Sequence, residues 1–315
     1  MKIVILDALT LGDADLSVFE QFGDLKIYKY TTPEQTTQRI KNAEIIITNK
    51  VVIGEKELQN APKLKLICVT ATGYNNIDTQ ATTKHKVIVA NVKGYSTESV
   101  AQYVFANILA VANSVFQYAE LTKSGKWTQA QVFTRLDYPI FELKNKKLGI
   151  IGYGNIGKRV AQLGKAFGMQ ILIAQRPNTK YNDKITRLPM EQVLKQADII
   201  TLHTPLTNQT KNLITIKELS LMKPSAIIVN AARGGIINEK DLFLALKNNI
   251  IKHAIIDVLT IEPPTEGNIL FSAPNITITP HIAWTSNEAR KKLIDGIVQN
   301  IQMFLEGKTK QIAVI

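Results

Sequence analysis

The sequence predicts an α/β protein with two doubly wound parallel sheets. Short apolar runs rich in Ile and Val alternate with longer amphipathic stretches along all 315 residues, a pattern typical of parallel strands joined by helices. The composition, 45% hydrophobic and 20% charged, is that of a globular chain and provides for one large core or two moderate ones. It excludes a disordered, collagen-like or disulfide-stapled protein.

The first half of the chain contains five predicted strands with helical patterns, such as Pro33–Lys41, between them. A long helix is predicted from Glu98 to Leu121, because apolar residues recur there at three- and four-residue spacing. Ser96 and Thr97 are its N-cap candidates. The five strands are Ile3–Leu6, Leu25–Tyr30, Ile45–Thr48, Leu64–Thr70 and Val87–Asn91.

The second half contains six further predicted strands, followed by a helical pattern from Ser286 to Leu305 that is too short for another domain. We therefore expect two domains, residues 1–98 with 286–315 and residues 99–285. The six strands are Leu148–Ile151, Ile171–Ala174, Ile199–His203, Ala226–Asn230, Ala254–Val258 and Ile276–Thr279.

A glycine pattern, Gly152-Tyr-Gly-Asn-Ile-Gly157, follows the strand Leu148–Ile151 and precedes an amphipathic stretch. In this strand–loop–helix context it predicts a dinucleotide-binding Rossmann domain. Gly152 permits the tight turn, Gly154 lets the backbone approach a pyrophosphate, and Gly157 lets helix and strand pack closely. The helix N-terminus, with Asn155 and Ile156, then offers free N–H groups to phosphates.

The end of the next strand bears on the ribose of the cofactor. NAD sites usually carry Asp or Glu there, whereas this strand ends in Gln175-Arg176. Gln175 can bind a hydroxyl but cannot repel a 2′-phosphate, and Arg176 either pairs with that phosphate or points to solvent. We therefore expect NADPH to be at least tolerated, and we predict NAD or NADP as the cofactor.

Three ionisable residues follow the last three strands of the second half: Arg233, Glu262 and His281. The carboxyl ends of parallel strands line the ligand crevice, so these groups can converge. Ketone reduction by hydride needs a proton donor, for which histidine is suited. A carboxylate orients such a histidine and favours its protonated form, and arginine can bind a 2-keto acid. Taken singly, each residue has a structural alternative, such as a cap, a loop charge or a core histidine.

The chain resembles the D-isomer-specific 2-hydroxyacid dehydrogenases over nearly its whole length. The resemblance is carried by Gly152–Gly157, Leu202–Leu206, Asn230–Asn238, Asp257–Pro264 and Thr279–Trp284. It implies a flavodoxin-like substrate domain, a Rossmann domain, a cleft between them and a homodimer. It also implies that Arg233, Glu262 and His281 are the catalytic residues. Thr279–Trp284 and Asp137–Pro139 look most like the glycerate dehydrogenases, or hydroxypyruvate reductases.

The resemblance implies further site residues. Thr72 and Gly73 match a loop that holds the substrate carboxylate, Thr72 also bordering the cofactor, and Val51 matches a loop facing the substrate. Thr204 and Pro205 match the adenosine side, whereas Ala231 and Asp257 match acceptors for the nicotinamide amide. Gly73 as a plain turn and Asp257 as a strand-end cap remain alternatives.

The sequence departs from the family pattern at a few positions. Gln175 replaces the usual acidic residue, and Gln102 replaces a frequent Glu. Ala71 and Asn75 stand where many members carry Gly and Asp. None of these changes removes a predicted catalytic group.

Charge and cysteine content bear on partners and compartment. The net charge is +12, but the basic residues are scattered, so a nucleic-acid partner is disfavoured. Lone Cys68 and the absence of a signal or membrane run favour the cytoplasm. We predict no metal and no membrane partner.

The sequence is thus expected to specify an enzyme that reduces a short 2-keto acid, hydroxypyruvate or glyoxylate, with NAD(P)H. A dehydrogenase for lactate, phosphoglycerate or a sugar acid is the alternative. A cofactor-sensing binding protein, like the corepressors that share this fold, is a second alternative. It is disfavoured because the chain begins on a strand and shows no disordered extension.

Overall fold

The computed structural model describes the chain except Pro177, Asn178, Asn182 and Ile315. Two compact units are present. One consists of Met1–Ser96 and Thr285–Ile315, and the other of Thr97–Trp284.

The strands and helices alternate along the chain. The strands are β1 (Lys2–Ile5), β2 (Asp24–Ile27), β3 (Ile45–Thr48), β4 (Leu66–Val69), β5 (Ile88–Ala90), β6 (Lys147–Ile151), β7 (Gln170–Ile173), β8 (Ile199–Leu202), β9 (Ile227–Asn230), β10 (His253–Ile256) and β11 (Ile276–Ile278). The α-helices are α1 (Pro33–Ile40), α2 (Glu55–Gln59), α3 (Thr79–Lys84), α4 (Thr97–Ala112), α5 (Val115–Lys123), α6 (Asn155–Ala166), α7 (Met190–Gln196), α8 (Ile216–Leu219), α9 (Glu239–Lys247), α10 (Asn287–Leu305) and α11 (Thr309–Ile312). Short 3₁₀ turns lie at Ala8–Leu11, Ser17–Phe22 and Ile269–Ser272.

The first unit is a five-stranded sheet in the order β2-β1-β3-β4-β5, with every pair parallel. This is the flavodoxin-like order, in which the strand order switches from one side of the sheet to the other between β1 and β3. The two central strands, β3 and β4, are fully buried, as expected for a sheet covered on both faces. Helix α1 begins with a capping box from Thr32 to Gln35 and has Pro33 in its first turn.

The second unit is a six-stranded parallel sheet in the order β11-β10-β9-β8-β6-β7. Leu188 forms a parallel bridge with Ala174, just beyond the end of β7. Its N–H donates to the Ile173 carbonyl, and its carbonyl accepts from the Gln175 N–H, both at 2.9 Å. If Leu188 is counted as a residual strand, the order is that of a Rossmann sheet with one added strand. The predicted fold class is therefore confirmed, and each predicted strand lies within three residues of an observed one.

The long predicted helix Glu98–Leu121 is wrong in one respect, because the chain breaks between α4 and α5. Ser114 adopts the left-handed conformation, with φ +49°, and its hydroxyl donates to the Pro139 carbonyl at 2.8 Å. The Phe141 N–H donates to the carbonyl of Ala112. Contacts distant in sequence therefore end α4 where local periodicity predicted continuation.

Helix α4 packs its apolar face into the core of the second unit. Val100, Val104 and Ile108 are buried there with Leu148 and Ile150 of β6. Among the described residues, no single helix is long and apolar enough to cross a membrane. Only α4 and α5 together, bent by 58°, meet such a criterion, on length and composition alone.

Candidate active site

The glycine loop after β6 is shaped by close backbone contacts. Gly152 has φ +98°, and a Cβ atom built on it would lie 2.4 Å from the His203 carbonyl oxygen. A Cβ atom on Gly157 would lie 2.1 Å from the Gly152 carbonyl oxygen, whereas one on Gly154 would meet nothing within 4 Å. Gly152 and Gly157 are thus required by the protein's own packing, and Gly154 leaves open space at the N-terminus of α6.

His203 beside this loop is a buried polar group that the motif analysis missed. Its backbone N–H donates to the Ile151 carbonyl at 2.7 Å. Both ring nitrogens are buried and have no hydrogen-bond partner within the described chain. Burial lowers the pKa of His203 to about 4, so the ring is neutral at pH 7. A neutral imidazole offers one donor and one acceptor, and the described residues pair with neither.

The end of β7 carries Gln175 and Arg176, both exposed. The Arg176 N–H donates to the Tyr181 hydroxyl at 2.5 Å. Arg187 stacks on the Tyr181 ring at 3.8 Å and binds Asp183 through two hydrogen bonds of 2.6 and 2.8 Å. The backbone at Arg176 is therefore fixed, while its side chain remains exposed.

His281 and Glu262 are brought into direct contact. The Nδ1 atom of His281 lies 2.7 Å from Oε2 of Glu262, and both side chains remain partly accessible. The other carboxylate oxygen of Glu262 accepts the Leu259 N–H at 2.8 Å, so both of its oxygens are held. A proton on Nδ1 is then directed to the carboxylate, and Nε2 is the nitrogen left to act on a ligand.

Arg233 lies on the loop after β9, which Asn230 holds together. The side chain of Asn230 donates to the Arg233 carbonyl at 2.9 Å and accepts the Ala232 N–H at 3.1 Å. The Arg233 guanidinium donates to the Ala232 carbonyl at 2.7 Å, and no carboxylate of the described residues lies within 4 Å of it. A Cβ atom on Gly234 would lie 1.9 Å from the Leu259 carbonyl oxygen, so this loop packs directly on the loop that carries Glu262.

Asp257, at the end of β10, is only 1% exposed. Its carboxylate accepts the Thr279 hydroxyl at 2.6 Å and the N–H groups of Ile282 and Ala283 at 2.9 Å. Burial raises the pKa of Asp257, and these three donors act in the opposite direction. The carboxylate therefore ties the His281 loop to the sheet. The predicted contact with a nicotinamide amide stays a prediction.

The predicted substrate loops of the first unit are also held by polar contacts. The Thr72 hydroxyl donates to the Val92 carbonyl at 2.9 Å, and Gly73 follows it on the loop after β4. The Val51 carbonyl accepts the Asn76 amide at 2.9 Å. Buried Asp7, which the sequence did not single out, accepts the Asn49 N–H at 2.9 Å and the Lys50 N–H at 2.7 Å.

The remaining predicted cofactor residues also lie beyond strand ends. Thr204 and Pro205 lie on the loop after β8, where the Pro205 carbonyl accepts the Thr210 hydroxyl at 2.6 Å. Ala231 directly follows β9 and is half-buried. Parallel strands present these ends, and those of β6, β10 and β11, at one edge of the sheet.

Comparison with known proteins shows the family to which the chain belongs. Residues 105–283 match the model described as D-isomer specific 2-hydroxyacid dehydrogenase, NAD binding domain. The chain is 40% identical to a glycerate dehydrogenase of Methylorubrum extorquens, with 99% of this chain and 98% of that protein covered. The chain belongs to the D-isomer specific 2-hydroxyacid dehydrogenase family. The predicted family and enzyme class are thereby confirmed.

Other known proteins are similar to the chain over nearly its whole length. A hydroxypyruvate reductase of Blautia hydrogenotrophica is 35% identical, with 98% of each chain covered. Among solved structures, an acyclic imino acid reductase in complex with NADPH and D-Arg superposes with a TM-score of 0.87 at 29% identity. That match covers 100% of this chain and 99% of the other.

The dehydrogenase's own residues fit a dinucleotide. The loop after β6 has open space at Gly154 and leads into the N-terminus of α6. The loop after β8 packs against it at Gly152 and begins with His203, whose ring nitrogens have no partner among the described residues. The first two features suit a pyrophosphate, since free N–H groups and the helix dipole favour an anion.

Two alanine substitutions separate packing from cofactor binding. Gly157→Ala forces a Cβ atom onto a backbone carbonyl, so we expect a lower melting temperature even without cofactor. Gly154→Ala meets open space and has an ordinary φ of −84°, so it should fold normally. It should weaken NADPH binding at least about tenfold, or about 1.4 kcal/mol, because the added methyl occupies the approach to the pyrophosphate.

Thermal unfolding without cofactor and fluorescence titration with NADPH measure the two effects. Wild-type affinity in Gly154→Ala would contradict the assignment of this loop to the cofactor.

Proposed function

We propose that the chain catalyses reversible hydride transfer between NAD(P)H and a short 2-keto acid, hydroxypyruvate or glyoxylate. The observation that carries the proposal is the 2.7 Å contact between His281 and Glu262, on loops that follow the same sheet edge as the Arg233 loop. A proton donor, its orienting carboxylate and a cation are the groups that 2-keto acid reduction requires. The names of the related glycerate dehydrogenase and hydroxypyruvate reductase favour these substrates.

The cofactor and each of the three side chains have defined roles in this mechanism. The nicotinamide, when bound, supplies the hydride. Arg233 binds the substrate carboxylate and polarises the carbonyl oxygen through charge-assisted hydrogen bonds. His281 donates a proton from Nε2 to the developing alkoxide and takes it back in the oxidation direction. Glu262 holds the Nδ1 proton and so keeps the imidazolium oriented. The backbone around Thr72 and Gly73, and Val51, bind the rest of the substrate.

Removal of either proposed catalytic group tests this mechanism. We expect His281→Ala and Arg233→Ala each to lower kcat/KM for 2-keto acid reduction at least about 100-fold, the low end for loss of general acid–base catalysis. NADPH binding, followed by fluorescence, serves as the control for folding. Near-native kcat/KM in either variant would remove that residue from the mechanism.

Cofactor choice rests on Gln175 and Arg176, since no carboxylate stands at the end of β7 to repel a 2′-phosphate. Steady-state reduction of hydroxypyruvate, glyoxylate and pyruvate with NADH and NADPH in parallel tests both substrate and cofactor. Arg176→Ala should raise KM for NADPH about tenfold or more, the value of a charge-assisted hydrogen bond of about 1.5–3 kcal/mol. KM for NADH should stay within about twofold.

A wild-type kcat/KM for NADH far above that for NADPH would overturn the cofactor assignment. Activity on pyruvate alone would favour the alternative 2-hydroxy acid dehydrogenase.

The proposed homodimer has a candidate surface in the 115–140 segment, which lies on the second unit. Phe133 is 89% exposed and Leu136 is 85% exposed. The segment is nevertheless ordered by its own contacts, for example Arg135 with Asp137 and the Trp127 indole with the Phe133 carbonyl at 3.1 Å. A fixed apolar surface of this kind is typical of an interface between protein chains.

Disruption of this surface should dissociate the dimer. We expect Phe133→Ser with Leu136→Ser to halve the mass measured by light scattering, because the apolar area that drives association is lost. Leu9→Ser, on an equally apolar residue that is 66% exposed in the first unit, is the matched control. A monomeric wild type would rule out the homodimer, and a dimeric double variant would exclude this surface.

We also propose a role for each unit and a compartment. The unit with the Gly152–Gly157 loop is the NAD(P)-binding domain, and the unit with Val51 and Thr72 is the substrate domain. Cytoplasmic location is supported by Cys68, the only cysteine in the sequence, which is buried and free.

A further inference from the structure

One face of helix α4 holds the loop that carries His281. Ser99 and Tyr103 are four residues apart, so they lie on the same face of the helix. The Tyr103 hydroxyl lies 2.6 Å from Oγ1 of Thr279, and the Ser99 hydroxyl donates to the Ala283 carbonyl at 2.7 Å. The two contacts therefore bracket His281, on either side of it in the sequence.

The hydrogen bonds from Tyr103 have a defined direction. The Thr279 hydroxyl donates to Oδ1 of Asp257 at 2.6 Å. A hydroxyl has a single proton, so Thr279 must accept from Tyr103. Burial raises the pKa of Tyr103 to about 12, and the phenol is therefore a donor at neutral pH. The result is a directed chain, Tyr103 to Thr279 to Asp257, that ends on a buried carboxylate.

Asp257 fixes the conformation of the His281 loop through its backbone carbonyl as well as its carboxylate. The His281 N–H donates to the Asp257 carbonyl at 2.8 Å, and the next two N–H groups, those of Ile282 and Ala283, donate to the Asp257 side chain. His281 itself has φ +58°, a conformation that is uncommon for a residue with a Cβ atom, and the Asp257 contacts hold it there. The loop thus depends on where the Asp257 carboxylate points.

We propose that Tyr103 is a positioning residue for His281, acting through the hydroxyl of Thr279 on the carboxylate of Asp257. The inference rests on the proposed role of His281 as the proton donor. The phenol orients Thr279, Thr279 orients the carboxylate, and the carboxylate sets the backbone on which the imidazole stands. Small displacements of a catalytic group are costly, since an error of about 1 Å can lower the rate about 100-fold.

The first test removes only the phenolic oxygen. Tyr103→Phe should lower kcat for hydroxypyruvate reduction at least about tenfold, with the dissociation constant for ADP-ribose unchanged, because this probe lacks the nicotinamide and the Gly152–Gly157 loop is not touched. Tyr30→Phe makes the same chemical change on an exposed tyrosine of the first unit and should leave kcat unchanged. A purely structural role would instead lower the melting temperature and weaken ADP-ribose binding together with kcat.

A double-mutant cycle tests the route through Thr279. Thr279→Val breaks both hydrogen bonds of the Thr279 hydroxyl and should lower kcat at least as far as Tyr103→Phe does. Thr279→Ser keeps the hydroxyl, so its kcat should stay close to that of the wild type. In the Thr279→Val background, Tyr103→Phe should have no further effect on kcat, since the two residues act as one unit. Additive losses would show that Tyr103 does not act through Thr279.

Hydrogen–deuterium exchange separates this inference from the proposed function. Tyr103→Phe should accelerate exchange of the amides of residues 281–283, and Tyr30→Phe should not. If the wild type reduces no 2-keto acid, the proposed function fails. The amide exchange rates of residues 281–283 then decide by themselves whether Tyr103 positions the His281 loop. If the enzyme is active and Tyr103→Phe has the kcat of the wild type, the proposal is overturned. Exchange rates in Tyr103→Phe equal to those of the wild type would also overturn it.

Discussion

The buried carboxylate of Asp257 is the interaction on which the arrangement of the site depends. A carboxylate removed from water is costly unless it is hydrogen-bonded, and here a hydroxyl and two backbone N–H groups bind it. Hydrogen bonds to a charged group contribute about 1.5–3 kcal/mol each, which offsets much of the cost of burial. Since all three donors belong to the Thr279–Ala283 loop, satisfying the carboxylate and placing His281 are one and the same requirement.

Close backbone contact between neighbouring loops is the second constraint. The loops after β6 and β8 meet where a side chain on Gly152 would strike the His203 carbonyl, and those after β9 and β10 meet where one on Gly234 would strike the Leu259 carbonyl. Leu259 in turn donates its N–H to Glu262. Glycine at these positions lets loops from adjacent strands stack without intervening side chains. The parallel sheet brings the strand ends to one edge. The glycines allow the loops at that edge, and the functional groups on them, to lie close to one another.

Regular features of the fold were predictable because they are encoded locally. Alternating apolar runs located the strands, and the Gly152–Gly157 spacing located the turn into α6. The break at Ser114 was not predictable, since it depends on a hydrogen bond to Pro139, 25 residues away. The His281–Glu262 pair was expected from strand ends and chemistry. In contrast, Tyr103 reads in sequence as one more core residue of α4, because only the packed structure brings it to Thr279.

The arginines of the second unit differ in their charge partners. Arg135, Arg159 and Arg187 each pair with a carboxylate of the same unit, so their charges are already balanced. Among the described residues, no carboxylate lies within 4 Å of Arg176 or Arg233. The Arg233 guanidinium is held by a carbonyl oxygen, which orients it without neutralising it. An oriented cation without an internal counter-ion keeps its full attraction for an external anion. Under the proposed function, Arg176 and Arg233 are therefore the arginines of the second unit whose share of the net charge of +12 would be balanced by a bound ligand.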